Sequence, residues 1–391
     1  MIAPAAVDTT VPFLDLSAVT RVVRHAVLES WSGLLERNRY VGGEAVEQFE
    51  SDWAAYCGTD FAVGVANGTD AIHLTLRALG IGPGDEVVLP TNTFVATAEA
   101  VVLAGAVPRF ADVSADTLLL TADAVERALT RRTCAVIAVH LYGQPADMDA
   151  LAAVAARNNL VLIEDAAQAH GARWRGKRAG SLARAGCFSF YPGKNLGAFG
   201  DAGAVVTSDR ELDQRLRSLR DHGRRAGTHY DHAFMGTNSR LDALQAVVLA
   251  AKLPHLDAWN AMRRQIAGRY RSAFGAAGVP LVHEAEGASG VHHLAVARVA
   301  DRERARRLLA THGIESAIHY PTPCHLAEPY ARFARDPLPV AERAAGEVLS
   351  LPMFPHMSTA QVSRVCAAMQ LVAGPDSALP SIAHFAEATH A

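Results

Sequence analysis

From about Phe61 to Thr207 the sequence alternates short apolar runs with amphipathic stretches, and this alternation restricts the possible folds more than any other feature. Seven runs are predicted strands: FAVGVA, EVVLP, VPRFADV, CAVIAVH, LVLIED, CFSFY and GAVVT. Several lack the polar alternation of a half-solvated strand, which indicates a mainly parallel sheet covered on both faces. Ala71–Leu79 and Asp147–Asn158 are predicted helices between them. The alternation therefore predicts an α/β domain with crossover helices.

The pattern changes in the C-terminal part of the chain. Two long helices are predicted around Asn238–Lys252 and Asp257–Phe274, with a break near Pro254. After them, VHHLAVARV and IESAIHY have the composition of strands and flank a predicted helix over Asp301–His312, which Gly313 ends. This order of elements is typical of an α+β arrangement.

The length of the chain indicates more than one domain, because 391 residues are too many for one simple core. We expect a large, mainly parallel-sheet domain over residues 1–255, including the N-terminal segment. A smaller α+β domain is expected over residues 256–391. The segment after about Gly374 is rich in Ala, Pro and Ser, and we expect it to fray.

Charge and composition argue against several classes of function. The net charge of −3 gives no basic surface on average, so nucleic acid is not the expected partner. No apolar run approaches the roughly 20 residues that span a bilayer, and MIAPAAVDTTVPFLDLS lacks the basic and apolar regions of a signal peptide. The five cysteines are scattered without a C-x-x-C pair. They predict reduced thiols, no metal site and a cytoplasmic location.

The first candidate for chemistry is Asn67-Gly68-Thr69-Asp70, between a predicted strand and a predicted helix. Free N–H groups and the positive dipole end of a helix suit a phosphate, and Thr69 adds a hydroxyl. Taken alone, the motif is more often explained by Thr69 or Asp70 acting only as the helix N-cap. It is not a G-x-G-x-x-G, and the sequence contains no Walker motif.

The second candidate is Asp165, at the end of the strand run in NLVLIEDAAQAHGA. An acidic residue there points into the crevice where open α/β sheets bind ligands. Its carboxylate suits a protonated pyridine nitrogen, because that pairing keeps the ring an electron sink. A helix cap or a metal ligand are the alternatives that this residue alone leaves open.

The third candidate is Lys194, in a loop rich in Gly and Pro that follows an aromatic strand. A lysine forms Schiff bases when desolvation or nearby positive charge makes its amine neutral, although most loop lysines are simply solvated. Ser189 on the preceding strand offers a hydroxyl to the same phosphate. The order of phosphate turn, strand-end acid and loop lysine is that of a fold-type I enzyme dependent on pyridoxal 5'-phosphate (PLP), which is aspartate aminotransferase-like.

Several longer motifs strengthen this interpretation. They are NGTDA, PTNTFVATAEA, VHLYGQPADMD, EDAAQAHGA, SFYPGKNLGAFGDAGA and TNSRLDALQA. With them the chain resembles the DegT/DnrJ/EryC1/StrS family of PLP-dependent nucleotide-sugar aminotransferases, from Pro12–Leu16 (PFLDL) to about residue 360. The resemblance implies a Schiff base between PLP and Lys194, which then moves protons between the cofactor and the substrate.

The resemblance also implies the other cofactor contacts. Asp165 is expected to pair with the pyridine nitrogen, Gln168 to reach the ring hydroxyl and Phe94 to stack on the ring. Gly68, Thr69 and Ser189 are expected to hold the phosphate.

A further set of residues is expected at the subunit boundary and the sugar site. Asn238 is expected to reach the phosphate of the neighbouring subunit, which implies a homodimer with shared active sites. Tyr320 and His325 are expected near the sugar, although a histidine beside an apolar strand is more often a core residue. Asp70 departs mildly from the small residue of many relatives.

The reaction implied is transfer of an amino group from L-glutamate to a dTDP-linked keto-deoxysugar in deoxyaminosugar and antibiotic biosynthesis. A 3-keto sugar is favoured, with a 4-keto sugar close behind. One branch of the family replaces the lysine with histidine and dehydrates its sugar, so Lys194 favours transamination over that lyase reaction. A non-catalytic regulatory relative is the other alternative, and the complete set of turn, acid and lysine argues against it.

Overall fold

The computed structural model describes residues 10–372, and the following elements belong to that part of the chain. The predicted tail after Gly374 lies outside it. The helices are α1 (Ser17–Arg37), α2 (Glu44–Cys57), α3 (Gly68–Ala78), α4 (Val95–Leu103), α5 (Ala122–Ala128), α6 (Met148–Arg157), α7 (Arg210–Leu219), α8 (Ala243–Lys252), α9 (Leu256–Ala276), α10 (Arg302–Thr311), α11 (Pro339–Glu347) and α12 (Thr359–Val372). The strands are β1 (Phe61–Val65), β2 (Glu86–Pro90), β3 (Val107–Ala111), β4 (Thr133–Val139), β5 (Val161–Asp165), β6 (Arg173–Trp174), β7 (Lys177–Arg178), β8 (Ala185–Ser189), β9 (Gly203–Thr207), β10 (Ala288–Ser289), β11 (Ala295–Arg298) and β12 (Val348–Leu351).

The main sheet has seven strands in the order β1-β9-β8-β5-β4-β2-β3. They are the seven predicted runs, so this part of the prediction is confirmed. Strands β2, β3, β4, β5 and β8 pair in parallel, and β9 runs antiparallel to both β1 and β8. Every residue of β2 and β9 is buried. Because a parallel sheet is covered by helices on both faces, its strands carry apolar residues on both sides.

Parallel pairing brings the carboxyl ends of successive strands to one edge. Val139 at the end of β4 pairs with Asp165 at the end of β5, and Asp165 pairs with Cys187 in β8. The two acids that end β5 face opposite ways, because successive side chains alternate along a strand. Glu164 is fully buried and accepts hydrogen bonds from the N–H groups of Gly180, Leu182 and Ala183. Glu164 therefore holds the loop over residues 180–183 in place, whereas Asp165 lies at the crevice.

The C-terminal half follows the predicted order of elements with one exception. A 3₁₀ turn over Leu253–His255 separates α8 from α9 at Pro254, as expected, and β11 pairs antiparallel with β12. The predicted strand IESAIHY is wrong. Its residues form only isolated bridges, because Ile314 pairs with Val11 whereas Ala317 pairs with Ser350, so no continuous ladder with one partner forms. The domain division near residue 255 stays a prediction.

Apolar side chains pack on the main sheet and also around β11 and β12. One cluster against the sheet holds Phe49, Trp53, Phe188 and Phe190, each with no exposed surface. Burying side chains of this size stabilises a fold by about 1.5–3 kcal/mol each. Between residues 10 and 372, no helix is long and apolar enough to cross a membrane.

Candidate active site

A cavity of about 460 Å³ opens at the carboxyl ends of β5 and β8, beside the first turns of α3 and α4. Ligands of open α/β sheets bind in this position. Eight of the ten residues that the sequence singled out line it: Gly68, Thr69, Phe94, Asp165, Gln168, Ser189, Lys194 and Tyr320. The fold therefore assembles one site from residues that are far apart in the chain.

The amine of Lys194 has the surroundings of a nucleophile. Burial disfavours its ammonium form and lowers its pKa to about 8, while the charge of Asp165 acts in the opposite direction. At pH 7, this change raises the neutral fraction from about 1 in 3,000 to about 1 in 10. Within residues 10–372, no hydrogen bond or ion pair is recorded at the Lys194 Nζ.

The carboxylate of Asp165 is oriented by two donors. Its Oδ2 accepts a hydrogen bond from the Thr97 hydroxyl at 2.7 Å, and its Oδ1 accepts one from the Ala167 N–H at 3.2 Å. Because the Thr97 proton is used in this way, Thr97 Oγ1 accepts from Thr93 Oγ1 at 2.8 Å. The two threonines fix the carboxylate at the cavity wall, where it is 6% exposed.

The start of α3 forms the anion-binding end of the cavity. Asn67 is the N-cap, since its Oδ1 accepts a hydrogen bond from the Asp70 N–H at 2.8 Å. The alternative that Thr69 or Asp70 caps the helix is therefore wrong. No backbone hydrogen bond is recorded for the N–H of Gly68 or Thr69 in the described chain. These groups remain available to a phosphate.

Contacts with neighbouring elements explain why Gly68 and Asp70 stand at this end of the cavity. A Cβ on Gly68 would lie 2.6 Å from the Ser189 Cβ, so glycine allows α3 to approach the end of β8. The Asp70 carboxylate accepts a hydrogen bond from Ser239 Oγ at 2.7 Å. The Asp70 N–H is taken by Asn67, so it does not face the cavity.

The opposite wall is aromatic. The rings of Phe94 and Tyr320 have centroids 5.7 Å apart. Gln168 lies between two neighbours: its Oε1 accepts from the Tyr142 N–H at 2.7 Å and its Nε2 donates to the Tyr320 hydroxyl at 3.2 Å. Phe94 is nevertheless 54% exposed, because this side of the cavity is open.

Two predicted site residues lie elsewhere. Asn238 is exposed and forms an isolated bridge with Asp221. His325 is only 2% exposed, with Nδ1 2.7 Å from Thr91 Oγ1 and Nε2 3.2 Å from Glu342 Oε1. The structure does not bring His325 to the cavity. Its surroundings are those of the core histidine that the sequence left as the alternative.

Several residues of this site were not predicted from the sequence. Thr97 holds Asp165 from 68 positions away, and His293 and Met353 line the cavity from the C-terminal half. Thr97 lies inside the motif PTNTFVATAEA, which was a usable signal. No spacing rule connects His293 with Lys194, because only the tertiary fold brings them together.

The donor set fits PLP. The site offers a desolvated amine for an aldehyde, free N–H groups at a helix start for a phosphate, and an oriented carboxylate for a ring nitrogen. The glycine-dependent contact between α3 and β8 brings Ser189 close to the free N–H groups at the start of α3, where a phosphate would bind. Within residues 10–372, no cluster of His, Cys, Asp and Glu has the arrangement of a metal site.

Comparison with known sequences finds a family model and individual relatives that match most of the chain. The sequence model of the DegT/DnrJ/EryC1/StrS aminotransferase family matches residues 23–370. A Streptomyces venezuelae protein named dTDP-3-amino-3,4,6-trideoxy-α-D-glucose transaminase is 48% identical over 363 residues, covering 92% of this chain and 95% of the relative. The erythromycin biosynthesis sensory transduction protein EryC1 of Saccharopolyspora erythraea is 47% identical over 363 residues, covering 92% and 99%.

Comparison with solved structures supports the same conclusion. The crystal structure of S. venezuelae DesV in complex with a ketimine intermediate matches with a TM-score of 0.91 at 47% identity. The match covers 93% of this chain and 99% of DesV. It confirms the predicted fold-type I, aspartate aminotransferase-like architecture.

Proposed function

Because the chain belongs to the DegT/DnrJ/EryC1/StrS aminotransferase family, we propose that it uses PLP to move an amino group from L-glutamate to a dTDP-linked 3-keto-deoxysugar. The observation that carries the proposal is the meeting of Lys194 and Asp165 on the cavity that also contains the anion-binding start of α3. Each of these features has an ordinary structural explanation alone. Together they match the three chemical demands of this cofactor.

Four residues act on the ring of the cofactor in this proposal. Lys194 would hold the cofactor as a Schiff base through its amine and would move protons to and from the substrate carbon. Asp165 keeps the pyridine nitrogen protonated, Gln168 reaches the ring hydroxyl, and Phe94 packs on the ring. PLP, when bound, supplies the electron sink for the carbon that loses its proton. The chain supplies a base that must be neutral, which the lowered pKa of Lys194 favours.

The phosphate is held at the other end. The N–H groups of Gly68 and Thr69 and the hydroxyls of Thr69 and Ser189 converge on one side of the cavity. Their dipoles and the start of α3 favour an anion.

The choice of substrates rests on relatives. The S. venezuelae relative is named for a 3-amino dTDP sugar, which supports a 3-keto acceptor over a 4-keto one. The name of EryC1 connects it with erythromycin biosynthesis, which supports a role in deoxyaminosugar formation for antibiotics. L-Glutamate is the donor expected from the family, and the cytoplasm stays the predicted location.

We further propose a homodimer in which Asn238 reaches the phosphate in the partner's site. Large apolar side chains are exposed in the described chain, and some line the cavity or closely precede Asn238 in the chain: Phe94 (54%), Tyr191 (58%), Tyr230 (94%) and Met235 (86%). Exposed apolar groups of this size are typical of surfaces that bind another protein. A two-fold partner would cover them and close the open side of the cavity.

Product analysis tests the proposed reaction. The purified protein is mixed with L-glutamate and a panel of dTDP-3-keto and dTDP-4-keto sugars, and the products are identified by mass spectrometry and NMR. A 3-amino sugar and 2-oxoglutarate are the expected products. A dehydrated sugar without nitrogen would instead support the lyase alternative, and a protein that binds no PLP would support a regulatory role.

A mixing experiment tests the shared site. Lys194→Ala and Asn238→Asp chains are each expected to have little activity. When the two are unfolded and refolded together, one site of each mixed dimer has both native residues, so about a quarter of wild-type activity should return. No recovery in a mixture that forms dimers would refute the role of Asn238 across the boundary.

A further inference from the structure

A second cavity, of about 520 Å³, lies at the edge of the main sheet, beside β3, α5 and the start of α11. It is larger than the first cavity, and the two have no lining residue in common within residues 10–372. His325, which the sequence predicted near the sugar, lies between Thr91 and this second cavity. The proposed reaction makes no use of this space.

Three arginines line the second cavity, and none of them has a close ion-pair partner in the described chain. Arg127 on α5 and Arg335 before α11 are exposed, with no recorded hydrogen bond or ion pair there. Arg109 on β3 has a side chain that is only 14% exposed, and its nearest acid is Glu86, with 3.7 Å between Arg109 Nε and Glu86 Oε2. The positive charge at this cavity is therefore poorly neutralised.

Glu86 does not satisfy Arg109, because other groups already occupy its carboxylate. Glu86 Oε2 accepts a hydrogen bond from Thr130 Oγ1 at 2.6 Å, and Oε1 accepts two from the Arg132 guanidinium at 3.1 and 2.5 Å. Arg109 Nε is buried without a hydrogen-bond partner. The two Nη atoms have no recorded partner among residues 10–372 either and are not among the sealed atoms, so solvent reaches them. A largely buried guanidinium with unused N–H groups favours an anion beside it.

The acids of this cavity do not cancel the three arginines. Asp112 Oδ1 accepts hydrogen bonds from the N–H groups of Val113 and Ala341, both at 2.9 Å. Its Oδ2 accepts one from the Val340 N–H at 3.0 Å. Asp112 therefore offsets the positive end of α11, which leaves the guanidinium groups as the cation set. Asp336 is exposed and is the other acid in the lining.

The remaining wall suits a flat apolar group. Phe110 and Phe333 line the cavity together with His325. The ring centroids of Phe110 and His325 are 6.4 Å apart, and the Arg332 guanidinium carbon lies 4.7 Å from the centroid of Phe333. Small-molecule sites combine apolar and aromatic walls with a few polar groups that orient the ligand, and their volumes are about 300–1,000 Å³.

We propose that the second cavity binds a small organic anion, with its carboxylate or phosphate on the Arg109 guanidinium and its flat apolar group against Phe110 and Phe333. Arg127 and Arg335 add positive charge at the exposed rim. A guanidinium group binds carboxylates and phosphates through the same paired N–H donors, so an oxyanion joined to a ring is the chemistry that this site recognises. The inference does not rest on the proposed reaction.

Fluorine NMR with small probes tests the site. The two anions 4-fluorobenzoate and 4-fluorophenyl phosphate have the same ring, and 4-fluorobenzamide is their neutral counterpart. Each is titrated into the full chain, which is loaded with PLP and then desalted so that free cofactor does not compete. The anions should show saturable binding, and the preferred one should bind about tenfold more tightly than the benzamide. The ratio of the two anion dissociation constants separates a carboxylate ligand from a phosphate ligand. Equal binding of the benzamide, or no saturable binding of either anion, would overturn the proposal.

Three arginine variants assign the bound probe to this cavity. Arg109→Gln should raise the dissociation constant of the preferred anion about tenfold, because charge-assisted hydrogen bonds are lost. Glu86 keeps Arg132 and Thr130 in this variant, so no buried charge is left without a partner. Arg335→Gln, at an exposed residue, should raise the constant about two- to fivefold. Arg131→Gln is the matched control, because Arg131 is exposed and does not line the cavity.

The variants also distinguish this site from the first cavity. Unchanged dissociation constants in Arg109→Gln and Arg335→Gln, or an equal loss in Arg131→Gln, would place the probe elsewhere and refute the proposal. Thermal unfolding shows whether each variant is folded, and if Arg109→Gln is not, Arg335→Gln decides the result. Every readout is direct binding. If the chain does not transaminate but these results hold, only the proposed function falls; in the reverse case, only the second site falls.

Discussion

Two of the three lysines in this chain, Lys194 and Lys252, have the same lowered pKa in different surroundings. Burial lowers the pKa of each amine to about 8. Lys252, at the end of α8, donates to the Gly197 carbonyl at 2.6 Å and lies 4.4 Å from the Phe199 ring centroid. Lys194 lines a cavity and has no recorded partner at Nζ in the described chain.

The comparison separates desolvation from reactivity. A lowered pKa makes an amine neutral more often, but a nucleophile also needs space for a substrate and freedom to reach it. Lys252 is 2% exposed and its amine is already bonded, so it fixes the far end of the loop that carries Lys194. Lys252 therefore has a structural role, and we propose a chemical role for Lys194.

Replacing Lys194 and replacing Lys252 should have opposite consequences for cofactor binding and turnover. Lys194→Ala should lose the visible absorbance of the bound cofactor and all measurable turnover, because no amine remains to form the Schiff base. Lys252→Met should retain both. Absorbance spectra and steady-state assays measure these effects. A Lys194→Ala protein that still transaminates would refute the lysine assignment.

Removing the acid should have the next largest effect. Asp165→Ala should retain some cofactor but lower kcat/KM by about 10²- to 10³-fold, the range seen when an oriented electrostatic partner is removed. Asp165→Asn keeps the shape of the side chain without its charge and should lower kcat/KM by a similar factor. A similar loss in both variants would assign the effect to the charge and not to packing. Unchanged turnover in either variant would show that the carboxylate has no part in the chemistry.

A glycine substitution tests the phosphate end. In Gly68→Ala the new Cβ would lie 2.6 Å from Ser189 Cβ and 3.2 Å from its Cα, so α3 must move away from β8. The dissociation constant for PLP should rise about tenfold, since overpacking costs about 1–3 kcal/mol. Gly268→Ala in α9 is the matched control, because its Cβ would meet nothing within 4 Å. Equal affinities in the two variants would contradict this description of the phosphate cradle.

The smallest expected effect is on the way the free energy of unfolding changes with pH. The folded-state pKa of Lys252, about 8, is below its ordinary value of 10.5. Between these values the unfolded chain binds the proton that the folded chain has lost, so the free energy of unfolding rises with pH. Relative to Lys252→Met, the wild-type protein should gain on the order of 2 kcal/mol between about pH 8 and pH 10. Thermal unfolding measures the difference, and Lys177→Met, at an exposed residue, should leave the profile unchanged.

The sequence predicted the parts of this site that depend on local pattern. Asp165 ends an apolar run and Lys194 follows another, so strand periodicity was enough to bring both to one edge of the sheet. The cap at Asn67 was missed because four consecutive polar or small residues allow several caps, and only the backbone angles select one. IESAIHY has the composition of a strand, but isolated bridges are all that it forms.

Contacts between distant residues were beyond reach of the sequence. His293 contacts Asn195, which in turn contacts Asn260, and the three residues belong to different parts of the chain. These contacts depend on the tertiary positions of all three side chains, which no local pattern encodes. His325 is the converse case. Its sequence context predicted a contact with the sugar, whereas its hydrogen bonds are those of a buried core residue.

The central claim, that Lys194 rather than Lys252 bonds the cofactor, can be measured directly. Borohydride reduction of the loaded enzyme fixes the Schiff base, and with only Lys177, Lys194 and Lys252 in the chain, peptide mass spectrometry can assign the modified residue without ambiguity. The account predicts a reduced PLP adduct on Lys194 and unmodified Lys252. An adduct on Lys252, or PLP bound without any reducible link to Lys194, would contradict it.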